Sequence, residues 1–311
     1  MDIVGAYACS HAGLLISRSD DAPAAQRDAI YAAFAEMGRA IRAAKPDAVV
    51  LIGTDHGKIY PLTHVAQFAI GVSETAEGIG DADLPKCTVP IHQSFAQAIL
   101  TGMIDEGVDL SYSEQSRIDH SFVAPLMLAF GDDFPKIVPI AQNCNMPPLP
   151  PLKRSYEVGV KLRAAIEAGP SGRVVVVGTG GLSHWVGNAE QQQFRRRPAG
   201  TRLGARSPGM TIDPTGPINE AFDRDFLAAV CAGTTNAFLR EWDDERLYTD
   251  AGNGAAEIRN WITLAGLTND RPARVLAYEA VSEWLTGTGL VARSHAGAAA
   301  SLAAPIGAAR P

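Results

Sequence analysis

Two runs of residues, Asp47-Ala-Val-Val-Leu-Ile-Gly53 and Arg173-Val-Val-Val-Val-Gly178, constrain the fold of this chain more than any other feature. Both are apolar without alternation. A strand with one wet face alternates polar and apolar side chains at period two, so these runs must be covered on both faces. Such strands lie inside a sheet flanked by helices. The segment Ala24 to Ala44 supplies one such helix, because Ile30, Phe34, Met37 and Ile41 recur at spacings of four and three and form one apolar stripe. Ser94 to Ile104 and Leu152 to Ala168 have the same pattern, and Ile3 to Ala8, Ala66 to Val72, Lys136 to Ala141 and Arg274 to Tyr278 are further expected strands. After residue 214 the pattern becomes mostly helical, over Pro217 to Cys231, Thr235 to Trp242 and Ala255 to Leu267, before one last strand near Val275. The expected architecture is α/β: a central, largely parallel sheet flanked by helices, with a helical C-terminal portion covering the site.

The expected organisation is a single catalytic domain over residues 1–290, a mobile loop within 187–214 and a disordered tail over 291–311. The loop is marked by Arg195, Arg196, Arg197, Arg202 and Arg206 among Gly and Pro, and the tail by Ala, Gly, Ser and Pro. The arginines read first as a solvated surface and second as a lid that attracts an anionic substrate. A chain of 311 residues with a formal charge of −7 has no electrostatic footprint for nucleic acid or an anionic membrane. No stretch approaches the ~20 apolar residues of a membrane span, so a cytoplasmic protein is expected. The four cysteines, Cys9, Cys87, Cys144 and Cys231, stand singly, which fits reduced thiols and no disulfide framework. Cys9 is the one expected to be open to oxidation, since it lies two residues before a candidate metal ligand.

Chemistry points to the histidines, of which there are seven. His11 follows the first strand in Ala8-Cys-Ser-His-Ala12, His56 follows the second in Gly53-Thr-Asp-His-Gly57, and His184 follows another in Gly178-Thr-Gly-Gly-Leu-Ser-His184. In an open α/β sheet, loops past the carboxyl ends of strands converge on one crevice, so three histidines in that position point to a shared site. Imidazoles with a carboxylate suit iron(II), zinc, manganese or cobalt, and two histidines with one acid leave positions open for a substrate and dioxygen. Spacing alone does not choose the acid among 34 acidic residues. His64, His92 and His295 lie in no such pattern and are expected to be structural or on the surface.

Ser10-His11, Thr54-Asp55-His56, Ile118-Asp119-His120-Ser121-Phe122 and Gly178-Thr-Gly-Gly-Leu-Ser-His184 resemble, in order and spacing, the motifs of the type II extradiol ring-cleaving dioxygenases. The resemblance runs from residue 2 to about residue 290. It implies iron(II) as cofactor, held by His11, His56 and a glutamate on a late helix, for which Gly254-Ala-Ala-Glu-Ile-Arg-Asn-Trp261 points to Glu257. It implies acid/base roles for His120 and His184, a catecholic substrate with dioxygen as co-substrate, and a homo-oligomer. Glu257-Ile-Arg-Asn-Trp261 and Glu283-Trp-Leu-Thr-Gly287 look more like the single-chain dihydroxyphenylpropionate branch than the protocatechuate branch.

The alternatives keep the fold: a dioxygenase for protocatechuate, gallate or an aminophenol, or a non-catalytic metal-binding relative. Gly178-Thr-Gly-Gly lacks the remaining signals of a phosphate loop, and no GxSxG supports a serine hydrolase. Asp55 and Asp119 each precede a site histidine, but a residue usually points away from its neighbour in sequence, so neither is expected to orient one. Thr179, Gly180 and Gly181 are expected to permit the turn that presents His184 and to bind nothing.

Overall fold

The computed structural model describes residues 1–61, 63–187, 193 and 216–293. The expected Arg-rich lid, His295 and all of the tail beyond Arg293 lie outside these residues. An eight-stranded sheet dominates, in the order β10-β11-β1-β9-β2-β8-β3-β6, with β3 (Phe68–Gly71) and β6 (Ser111–Ser113) at one edge and β10 (Ala273–Val281) and β11 (Thr286–Arg293) at the other. Its middle is β1 (Asp2–Cys9), β9 (Arg173–Thr179), β2 (Ala48–Thr54) and β8 (Ile137–Gln142), all parallel. Every residue of β2 is buried, as is all of β9 after Arg173. Unbroken burial is the structural counterpart of the unbroken apolar runs.

After the one-turn α1 (Leu14–Ser17), helices α2 (Ala24–Ala44) and α4 (His120–Phe130) pack together against the sheet, and α3 (Gln93–Asp105), α5 (Leu152–Ala168) and α9 (Ile258–Leu267) form a second connected layer. Helix α2 buries Ile30, Phe34, Met37 and Ile41, the stripe read from its spacing. Each such side chain contributes about 1.5–3 kcal/mol on leaving water. Between α5 and α9 lie α6 (Glu220–Ala232), the one-turn α7 (Thr235–Phe238) and α8 (Asp244–Ala251). Among the described residues, no helix is long and apolar enough to cross a membrane.

The structure corrects several sequence expectations. The described residues end in a hairpin: β10 (Ala273–Val281) pairs antiparallel with β11 (Thr286–Arg293), which pairs antiparallel with β1. Strand β11 contains two Gly and two Thr and reads as a loop, and it carries on to Arg293, three residues into the stretch expected to be tail. The helix expected to run to Trp242 stops at Phe238. A separate sheet joins β4 (Thr75–Gly78), β5 (Cys87–Pro90) and β7 (Ser116–Ile118), strands too short to show a period.

Candidate metal centre

The crevice opens beyond the carboxyl ends of β1, β2 and β9, whose following residues carry His11, His56 and His184. His120 is the first residue of α4, and Glu257 ends the 3-10 turn Gly254–Glu257 that leads into α9. Residues more than 240 positions apart thus meet. Glu257 Oε2 is 2.9 Å from His11 Nε2, and Oε1 is 2.9 Å from His56 Nε2. His184 Nε2 lies 3.9 Å from Oε2. His11, His56 and His120 each offer a ring nitrogen within 4.8 Å of the others.

All four histidines are held through Nδ1. His11 Nδ1 lies 3.0 Å from Thr179 Oγ1, and that hydroxyl donates to the carbonyl of Ser121 at 2.8 Å. A hydroxyl whose proton is committed must accept at its other contact, so His11 carries its proton on Nδ1. The Ser121 carbonyl is free because Pro125, four residues on in α4, has no N–H to donate to it. His56 Nδ1 donates to Asp119 Oδ2 at 3.0 Å, His184 Nδ1 to the carbonyl of Leu182 at 2.9 Å, and His120 Nδ1 meets Asp81 Oδ2 at 2.5 Å.

In their neutral forms His11 and His56 therefore direct bare Nε2 lone pairs at a carboxylate. Lone pairs facing lone pairs repel, and a cation among them removes the conflict. His11 Nε2 shows the conflict directly. It is buried and, despite its closeness to Glu257, has no hydrogen-bond partner. Two imidazole nitrogens and a carboxylate are also a donor set that divalent transition metals accept. The residues fit a metal.

Without a cation, a second proton on His56 relieves its share of the conflict, and Nε2–H then donates to Glu257 Oε1 at 2.9 Å. Burial opposes a charge on His56, but the Asp119 and Glu257 carboxylates outweigh it and push its pKa up to about 10. Burial lowers the pKa of His11 and of His184, though Glu257 pulls both the other way. Burial would raise Glu257, yet the two histidines beside it hold its carboxyl well below its ordinary value. The carboxylate also accepts the N–H of Gly181 at 2.8 Å.

Contact adds to the turn expected at Gly180 and accounts for Gly254, for which no turn was expected. A Cβ on Gly180 would lie 2.5 Å from the Glu257 carbonyl oxygen, and one on Gly254 would lie 2.1 Å from His184 Nε2. Thr179 and Gly181 also bind, to His11 and Glu257, contrary to expectation. Asp119 does orient an imidazole, that of His56 and not that of its neighbour. Asp55 behaves as expected, its Oδ1 accepting the N–H groups of Gly57, Lys58 and Ile59. Cys9 is fully buried and burial pushes its thiol well up, so the oxidation expected of it lacks both access and thiolate. Asp81 was missed, since nothing in its local sequence marks it.

The loop carrying His184 is tied to α6 by Asp223. Its carboxylate accepts Ser183 N–H at 2.7 Å, Ser183 Oγ–H at 2.8 Å and Tyr278 O–H at 2.9 Å. Burial nevertheless pushes its carboxyl up to about 6. A folded-state value above the unfolded one means that the group's contribution is full below about pH 4 and is lost as pH rises through about 6. Between pH 4 and 7 the parent is expected to lose about 3 kcal/mol relative to Asp223→Asn. Denaturant midpoints across that range check it, and a constant difference would mean that the three donors keep the carboxyl ionised throughout.

A cavity of about 320 Å³ opens over these groups, walled by Leu14, Trp185, Val186 and Trp284 on its apolar side. That volume lies within the usual range for a small-molecule site.

Comparison with known proteins gives the family. The chain is 26% identical over 295 residues to the 2,3-dihydroxyphenylpropionate/2,3-dihydroxicinnamic acid 1,2-dioxygenase of Photorhabdus laumondii, covering 86% of this chain and 91% of that one. It is 28% identical to a protein of the same name from a Rhodococcus species (85% and 90% covered) and 27% identical to one from Rhodococcus jostii (89% and 94%). The crystal structure of an uncharacterized Escherichia coli K12 protein shares the fold, with a TM-score of 0.55 at 14% identity over 93% of this chain and 99% of that one. The family model for the catalytic LigB subunit of aromatic ring-opening dioxygenase matches residues 5–291, so the chain belongs to the LigB family of metal-dependent, ring-cleaving extradiol dioxygenases.

Proposed function

We infer that this enzyme holds iron(II) through His11, His56 and Glu257 and cleaves a catechol of the 2,3-dihydroxyphenylpropionate type with dioxygen, beside the diol. The observation that carries the reading is the pair of Nδ1-anchored histidines whose Nε2 atoms face one buried carboxylate beneath an apolar-walled cavity. The names of the relatives supply the substrate class. Iron(II), held by His11, His56 and Glu257, would supply Lewis acidity towards the catechol and electron density to dioxygen.

The protein's own groups do the rest. With Nδ1–H given to Leu182, neutral His184 has Nε2 free as a base for a catechol hydroxyl. His120 lines the same cavity and delivers a proton to the opening ring. Trp185, Trp284 and Leu14 displace water from the aromatic face of the substrate, which strengthens every charge interaction within.

Anaerobic reconstitution with iron(II) followed by a panel of catechols, read by oxygen uptake and by the yellow ring-opened product, tests the reading. His11→Ala and His56→Ala are expected to lose iron. His120→Ala and His184→Ala should keep iron and catechol binding and turn over about 100- to 10,000-fold more slowly. Full iron occupancy with normal turnover in either of the first two would remove that residue from the ligand set. Near-normal rates in both of the others would refute their acid/base roles.

A further inference from the structure

We propose that Asp81 is a positioning residue for His120, fixing its tautomer so that every proton His120 exchanges with the substrate passes through Nε2. This deepens the reading above and rests on it for the role of His120.

Asp81 lies in the turn between β4 and β5, far from any motif. Its carboxylate takes His120 at two points: Oδ1 accepts the backbone N–H at 2.8 Å, and Oδ2 lies 2.5 Å from Nδ1. A carboxylate gripping both the amide and the ring leaves the imidazole no freedom to turn. Asp81 is nearly buried, with a side chain 8% exposed, and its charge is met by Lys58 Nζ at 3.2 Å from Oδ2. Lys58 sits two residues after His56, so one turn supplies both a candidate ligand and the counter-charge.

The backbone holds Asp81 there at a cost. Gly80 has φ +75°, and the two residues after Asp81, Ala82 (φ +53°) and Asp83 (φ +60°), are also left-handed. Consecutive residues of this kind cost energy and persist only when their surroundings fix them. One such constraint is visible: a Cβ on Gly13 would lie 2.5 Å from Ala82 Cβ, so the turn after His11 leans directly on this loop.

Asp81, Asp119 and His120 also place one possible ligand atom each within 4.8 Å of the others. They do not form a second cation site, because their oxygens are already occupied by N–H donors. Asp119 accepts from His56 N, His56 Nδ1 and Ser121 N, and Asp81 from His120 and Lys58. The arrangement is a hydrogen-bonded support for two rings.

Asp81→Asn is the discriminating variant. Its amide oxygen must still accept the His120 backbone N–H, which turns the NH2 group towards Nδ1. Nδ1 must then accept, and the ring proton moves to Nε2. Imidazole 15N shifts at alkaline pH, with zinc replacing iron to avoid paramagnetic broadening and with His120→Ala used for assignment, read this directly. The parent should show His120 protonated at Nδ1, and Asp81→Asn should show it protonated at Nε2. With iron(II), Asp81→Asn should lower kcat about 10- to 100-fold with iron content and KM within about twofold of the parent. Asp81→Glu, which keeps the acceptor, should recover part of the rate and the parent tautomer.

An unchanged tautomer in Asp81→Asn, or a parent already protonated at Nε2, would overturn the proposal. So would a variant that loses iron or thermal stability while keeping the parental rate per iron, since that is a structural role alone. If Asp81→Asn does not fold, the parent tautomer and Asp81→Glu still decide. The nitrogen shifts do not depend on turnover, so absence of ring cleavage in the parent would sink the functional reading and leave the tautomer assignment standing or falling by itself.

Discussion

Glu257→Gln is expected to abolish iron binding and ring cleavage while leaving the fold intact. In the parent, the carboxylate faces His11 Nε2 and His56 Nε2 and accepts Gly181 N–H. An amide keeps the acceptor for Gly181 and turns its NH2 towards His56 Nε2, so the metal-free variant leaves no new buried donor unmet. It loses the negative charge and one ligand oxygen. A site binding iron(II) at 100 times its Kd stabilises the fold by about 2.7 kcal/mol, and the variant should lose that increment entirely. Thermal melts with and without iron(II), together with metal analysis, check this. Tm in the parent should rise with iron and in Glu257→Gln should not move. Stoichiometric iron in the variant would remove Glu257 from the ligand set.

The largest effect on stability is expected at Asp119. Fully buried, it accepts His56 N–H, His56 Nδ1–H and Ser121 N–H, the last as the N-cap of α4. Asp119→Ala leaves three donors without an acceptor, and unmet buried groups with a lost buried charge pair typically cost about 3–5 kcal/mol. At about 2.1 cal/mol/K of unfolding entropy per residue, that corresponds to a fall in Tm of roughly 5–8 °C for a chain of 311 residues. Iron affinity should fall with it, since His56 loses the group that fixes its ring. Differential scanning calorimetry of the metal-free proteins isolates the first effect, and a change of less than about 1 kcal/mol would show that water replaces the carboxylate.

The legible and illegible parts of this protein divide by range. Strands β2 and β9 and helices α2 and α5 were readable because burial on both faces, or on one helical stripe, writes itself into consecutive residues. His11, His56 and His184 were readable because a strand end is a local feature. Glu257 was not: it owes its place to a helix far along the chain, and only the family resemblance singled it out. Asp81 had no local mark at all, and Asp119 was misjudged because its partner is His56, 63 residues away, while its own neighbour His120 is held by Asp81. Strand β11 escaped because Gly and Thr within it pack closely against neighbours, as where a Cβ on Gly287 would lie 1.8 Å from Asp223 Oδ2.

The position of β1 in the sheet governs the order in which this protein can be assembled during synthesis. Strand β1 lies between β9 and β11, so its hydrogen-bonding partners begin at residue 173 and finish at Arg293. Until then a growing chain carries an unpaired strand whose edges can join other molecules. His11, directly behind that strand, reaches Glu257 only after more than four-fifths of the chain has been made. A nascent chain therefore lacks the assembled donor set proposed for the metal until then, and contacts of such long separation make for slow folding. Expression at reduced temperature, with iron supplied after translation, should give more loaded enzyme than iron supplied only during it.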